Sequence, residues 1–250
     1  MRDRTFGPIG ITGASAASMI GDLLLAWTLT SVGGALLVMW NGWDGRAVGL
    51  ALVAFALITA AAGVAWAGWL SAPFGWANRV TLWRAGLICL IATPLLGAAV
   101  QPGWSLALLI TLALALDAVD GWLARRLGLT SAFGARFDIE VDGLFLLILA
   151  LLVWQAGRAG PWVLPIGLLH YAFMLARRLW PRLRQPLPES RRRRTICGLQ
   201  GATLLFCLLP PVGPDTASLA AATALGALVV SFTIDIRWLL RRGPAAPDIA

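Results

Sequence analysis

The sequence predicts an all-α protein, a polytopic bundle of transmembrane helices. Three observations carry that expectation. Of 250 residues, 59% are apolar and 13% charged, where a soluble domain holds about 45–50% and about 25%. The apolar residues gather in blocks of about 16 to 26, close to the ~20 that cross a hydrocarbon core of roughly 30 Å as a helix. All 20 basic residues are arginines, and they crowd into alternate loops. Such a composition excludes a disordered chain, a coiled coil and nearly every water-soluble enzyme.

Eight spans are expected, at 16–40, 47–70, 82–101, 103–124, 138–157, 161–179, 195–213 and 216–240. The first is too long for a secretory signal peptide and lacks a convincing cleavage site, so it reads as a permanent helix. Before the third span the segment 71–81, SAPFGWANRVT, is short and more polar, and is expected to lie flat on the membrane surface. The fourth span ends, and the fifth begins, in the most acidic stretch of the chain. The sixth carries the lone histidine and tyrosine, His170 and Tyr171, and the seventh follows the densest arginine run, 177–194. After the eighth, residues 243–250 read as a dispensable tail.

Orientation follows from the arginines. One set of loops carries Arg2 and Arg4, Arg79 and Arg84, Arg125, Arg126 and Arg136, the run from Arg177 to Arg194, and Arg237 to Arg242. The alternate set carries Asp44 and Arg46, nothing at 100–102, Arg158, and Asp215. By the positive-inside rule both termini are expected in the cytoplasm, and the expected location is a bacterial inner membrane. Trp40, Trp43, Trp76, Trp104, Trp154, Trp162, Trp180 and Trp238 fall near span ends, at headgroup depth. The formal charge of +8 fits the anionic cytoplasmic leaflet; nucleic-acid binding would need a soluble basic face. Cys89, Cys197 and Cys207 offer neither a disulfide framework nor a Cys-x-x-Cys metal site and read as packing residues.

Five of the 12 acidic residues lie between 117 and 142: Asp117, Asp120, Asp138, Glu140 and Asp142. On helices, Asp117 and Asp120 share one face, as do Asp138 and Asp142. Two antiparallel helices can therefore present four carboxylates to one point, while Glu140 points off that face. An aspartate deep in a span costs about 2.5–3.5 kcal/mol even on the gentler insertion scale, and four together repel one another. Hard divalent cations, Mg²⁺, Ca²⁺ or Mn²⁺, suit an all-oxygen set. The bland alternative is a cluster of salt bridges. Gly121 and Ala124 lie on the side of Asp117 and Asp120, and Gly134 one turn before Asp138, so a bulky ligand can approach the backbone. Arg125 suits a phosphate oxygen.

The stretch resembles the signature of the CDP-alcohol phosphatidyltransferase family, D-x-x-D-G-x-x-A-R, eight residues, then G-x-x-x-D-x-x-x-D. Asp117, Asp120, Gly121, Ala124, Arg125, Gly134, Asp138 and Asp142 fill every fixed position. Asn78, Thr81 and Arg84 look like the family's Asn-x-x-Thr-x-x-Arg pattern, and Arg194 with Thr195 like its later basic–threonine pair, arginine replacing the usual lysine. The resemblance implies a six-helix catalytic core over 76–242, with 1–75 an accessory pair of helices. It implies transfer of a phosphatidyl group from CDP-diacylglycerol to an alcohol, with release of CMP. The four aspartates would hold two cations, Mg²⁺ or Mn²⁺, and Asp142 would also be the general base. Gly121, Ala124, Arg125, Gly134, Asn78, Thr81 and Arg84 would receive the CDP group. A homodimer is implied by the resemblance as well.

The arginine-rich side favours a phosphorylated acceptor, glycerol 3-phosphate first and inositol phosphate next, with Arg136 and Arg194 the residues to bind its phosphate. Serine or another alcohol is an alternative. From a different class, a divalent-cation transporter would spread its acids along a path near the midplane, whereas here they gather at one end of the spans. His170 reads as a packed, hydrogen-bonded histidine. Asp22 and Asp235, isolated in the first and last spans, have no partner visible in the sequence.

Overall fold

A computed structural model describes residues 13–67, 76–97, 100–127, 132–180, 183, 185 and 190–241. Among the described residues there are eight α-helices and no strands: α1 Gly13–Asn41, α2 Gly45–Ala67, α3 Trp76–Ile91, α4 Trp104–Leu127, α5 Ala132–Gln155, α6 Pro165–Leu179, α7 Arg191–Cys207 and α8 Pro214–Arg241. Four segments, Ile20–Asn41, Gly45–Val64, Asn78–Leu96 and Pro214–Arg241, are long and apolar enough to cross a membrane. Large apolar side chains such as Met39, Leu57, Val64 and Leu219 are exposed, as they are where lipid is the solvent. The chain is an integral membrane protein.

Local chemistry sets the helix ends. Gly42 turns the chain after α1 at φ +66°. Asp44 then caps α2, its Oδ1 accepting from the Arg46 N–H at 2.9 Å. After α5 the N–H of Gly157 bonds to Trp154 and that of Arg158 to Val153, both at 3.0 Å. That is a Schellman closure, and Gly157 takes its left-handed position at φ +65°. Hydroxyls inside apolar helices bond back one turn: Thr30 Oγ1 donates to the Ala26 carbonyl at 2.8 Å.

Three expectations about boundaries are corrected. The third helix begins at Trp76 and not at 82, so residues 76–81 are its first turns and do not form a separate surface segment; residues 71–75 lie outside the described residues. It stops at Ile91, and Thr93–Leu96 form a 3₁₀ turn, because Pro94 cannot donate to a continuing α-helix. The arginines 191–194 are the first turn of α7, not a loop before it. The expected tail at 243–250 lies outside the described residues.

The chain divides into two compact units, Met1–Leu96 with Ala115–Val141, and Gly97–Leu114 with Asp142–Ala250; α4 and α5 contribute residues to both. In the first, α1 and α2 run antiparallel and close on α3. A Cβ on Gly34 would lie 2.7 Å from Val48, and one on Gly86 would overlap the Thr30 hydroxyl. Phe55, fully buried, packs at a tilt against Trp27 with ring centroids 5.3 Å apart.

In the second unit α7 and α8 form an antiparallel hairpin held by polar contacts in register. Gln200 donates to the Ala224 carbonyl at 2.9 Å, and Cys207 lies 3.2 Å from that of Ala217. Helix α6 runs antiparallel to the end of α5, with Gly167 against the Leu147 backbone. The cysteines are free thiols; Cys89 and Cys207 are buried as expected, but Cys197 is exposed.

Candidate active site

Helix α3 supplies the first component. Asn78, Thr81 and Arg84 follow at steps of three, one slanting stripe of a helix, and all three are buried, Arg84 with 0% exposure. A guanidinium keeps its charge, so its burial demands anionic partners. These come from α4 and α5. Arg84 Nη1 lies 2.8 Å from Asp117 Oδ1 and donates to Asp138 Oδ1 at 2.9 Å. One nitrogen thus holds two carboxylates that would otherwise repel.

Asp142 stands one turn after Asp138 on the same unbroken helix. Asp117, Asp138 and Asp142 each offer a carboxylate oxygen, and these oxygens lie within 4.8 Å of one another. The spacing in the sequence anticipates this meeting. Three hard oxygen donors so close fit a divalent cation such as Mg²⁺, Ca²⁺ or Mn²⁺, and do not fit a metal that selects thiolate or imidazole. Charge agrees with the chemistry of the donors, because Arg84 brings a single positive charge to three carboxylates.

The remaining expected residues divide into two sets. Gly121 on α4 and Gly134 on α5 are half-buried, and Arg136 and Arg194 are exposed. Asp120 follows Asp117 by three residues on α4, but its side chain and those of Ala124 and Arg125 lie outside the described residues. Glu140 is not part of the three-carboxylate group.

Two acids whose partners are not visible in the sequence find them in the structure. Asp22 Oδ2 lies 2.7 Å from Arg79 Nε, joining α1 to α3. Asp235 Oδ1 accepts from Arg192 Nη2 at 2.5 Å, and Arg192 Nη1 donates to the Ser231 carbonyl at 2.9 Å, joining α7 to α8. The available signal was that each acid and its arginine sit toward the same expected membrane end of their spans. His170 packs edge-on against Tyr171, centroids 5.2 Å apart. A Cβ on Gly143 would lie 2.7 Å from the His170 ring, so this histidine is a packed one.

A family model described as CDP-alcohol phosphatidyltransferase matches residues 74–234. Enzymes of that family transfer a phosphatidyl group from a CDP-alcohol to an acceptor, act in membranes and use divalent cations. No curated protein and no solved structure matches the chain. A family match that spans well over half of the sequence, and includes both helices whose carboxylates meet beside Arg84, shows that the chain belongs to the CDP-alcohol phosphatidyltransferase family and is a transferase of substituted phosphate groups.

Proposed function

We propose that the chain transfers the phosphatidyl group of CDP-diacylglycerol to glycerol 3-phosphate, releasing CMP, at the cytoplasmic face of a bacterial inner membrane. The observation that carries this reading is the group Asp117, Asp138 and Asp142, with Arg84 set between the first two. The catalytic core would be 76–242, within eight spans, and the enzyme would work as a homodimer.

In this reading Asp117, Asp120, Asp138 and Asp142 would hold two divalent cations, Mg²⁺ or Mn²⁺, whose charge would offset that of the pyrophosphate and of the departing CMP. Arg84 holds Asp117 and Asp138 together, so their oxygens are in place before substrate arrives. Asn78 and Thr81, buried beside Arg84 on α3, offer neutral hydrogen-bonding groups to the nucleotide. Gly121, Ala124 and Gly134 leave the backbone open to it, and Arg125 binds a phosphate oxygen. Asp142 takes the proton of the acceptor hydroxyl as that oxygen bonds to the lipid-bearing phosphorus. The bond from this phosphorus to the CMP oxygen breaks, and CMP leaves with the electron pair. Arg136 and Arg194 are exposed, and a guanidinium fork matches a phosphate; they support a phosphorylated acceptor.

Purified protein in detergent, given CDP-diacylglycerol with Mg²⁺ or Mn²⁺, should be offered glycerol 3-phosphate, inositol phosphate, serine and glycerol in turn. CMP release is expected with glycerol 3-phosphate, and Asp142→Asn should lower it about 1,000-fold or more, since the base is lost as well as a carboxylate charge. CMP release with inositol phosphate or serine alone would replace the acceptor. Movement of Mg²⁺ into vesicles with no CMP from any acceptor would overturn the reaction.

A further inference from the structure

Asp22 is the only acidic residue of α1, in a segment apolar enough to cross a membrane. An acid there is costly unless it is paired, and such residues are rare outside functional positions. Its carboxylate is 2.7 Å from Arg79, with both side chains largely shielded, at 14% and 21% exposure. Arg79 stands on α3 five residues before Arg84, a rise of about 7.5 Å along the same rigid helix.

Arg79 and Gly86, seven residues apart, share one face of α3. That face meets the accessory helices at two more points: Gly86 against the Thr30 hydroxyl and Phe55, and Leu90 against Gly33 and Gly34. The contacts advance together along both helices, from Asp22 to Thr30 to Gly34 and from Arg79 to Gly86 to Leu90, so α1 and α3 are parallel and in register. Arg84 precedes Gly86 by two residues, about 200° around the helix. It therefore projects from the opposite side of α3, where it holds Asp117 and Asp138. A roll of α3 that breaks the Asp22–Arg79 pair would also shift the base of Arg84 relative to the two carboxylates.

We propose that Asp22 is a positioning residue for the active site: through Arg79 and the Thr30–Gly86 contact, α1 and α2 hold α3 at the rotation that keeps Arg84 between Asp117 and Asp138. The inference rests on the reading of those carboxylates as cation ligands, and it gives the accessory helices a task in the reaction.

The test uses the full chain in detergent and two readouts. One is Mn²⁺ binding, followed by the paramagnetic resonance of the free ion; the other is CMP release from CDP-diacylglycerol. Asp22→Asn should weaken Mn²⁺ binding about tenfold, the low end of what partners behind metal ligands contribute, while Asp22→Glu restores it. Gly86→Ala, which pushes on the same face of α3 without touching a charge, should weaken Mn²⁺ to a similar degree. It keeps the idea testable if Asp22→Asn fails to fold. Wild-type Mn²⁺ affinity in both variants, with only heat stability reduced, would overturn the proposal. If the variants lose Mn²⁺ as expected but the wild type releases no CMP, the positioning role stands and the assigned reaction fails.

Discussion

Arg84 meets two carboxylates through one nitrogen, and each half of that arrangement predicts a consequence. Seen from the arginine, the burial is complete, so the charge must stay paired or the helix must move. Seen from Asp117 and Asp138, both near 40% exposed, water still solvates part of each carboxylate. Arg84→Ala therefore leaves two hydrated anions, not a stranded buried charge. Its loss should show far more in activity than in folding. We expect Arg84→Ala to reduce CMP release about 100-fold, equivalent to ~2.7 kcal/mol of transition-state stabilisation. Arg84→Lys should fall between, because an ammonium keeps the charge but is a point charge without the fork. Arg84→Ala within about threefold of wild type would mean that the shared contact is incidental to the chemistry.

Among the helices, close approach at glycine predicts where substitutions hurt. A Cβ at Gly167 would lie 2.6 Å from the Leu147 backbone nitrogen and nearer still to its Cα, whereas nothing lies within 4 Å of one at Gly198. Backbone cannot rotate aside, so Gly167→Ala should force α6 off α5 and cost about 1–3 kcal/mol. Gly198→Ala should be neutral or gain up to ~1 kcal/mol from helix propensity. With the exposed Cys197 replaced by serine in both variants, the buried thiols Cys89 and Cys207 make a thiol-reactive dye a direct monitor of unfolding. Equal midpoints for the two variants would refute the distinction. The same scale shows what was legible in the sequence. Apolar blocks and arginine-rich loops gave eight helices in order, and the spacing of Asp117, Asp138 and Asp142 anticipated their meeting. Helix ends were less legible, since Pro94 stops α3 within an apolar run and 191–194 are helical despite four adjacent charges. The pairs Asp22–Arg79 and Asp235–Arg192 could not be read from spacing, because their partners are 57 and 43 residues apart and depend on which helices touch.

For the molecule as a whole, the arginines predict an orientation that can be measured. Arg46 and Arg158 are the exceptions in loops otherwise poor in arginine, and a side-chain contact accounts for the second. Arg46 is the second residue of α2, and its bond to the Asp44 carboxylate comes from the backbone N–H, which every residue but proline has. Arg158 donates Nη1 to the Val212 carbonyl, so it ties down a loop. Arg158 therefore does not need the cytoplasmic leaflet. The arginines at 125–136, 177–194 and 237–242 outnumber them many-fold, and each cluster counts toward retention on the cytoplasmic side. We expect a fluorescent protein fused after residue 242 to fold and fluoresce in bacterial cells. Alkaline phosphatase, active only outside the cytoplasm, should be active when fused after residue 102, 159 or 213 and inactive when fused after 130 or 186. The discriminating position is 159. If Arg158 acted as a retention signal, a fusion there would be silent; if it is a loop tie, phosphatase activity persists and Arg158→Gln leaves it unchanged. An active phosphatase after residue 186 would reverse the membrane orientation and place the carboxylate group on the wrong side for a cytoplasmic acceptor.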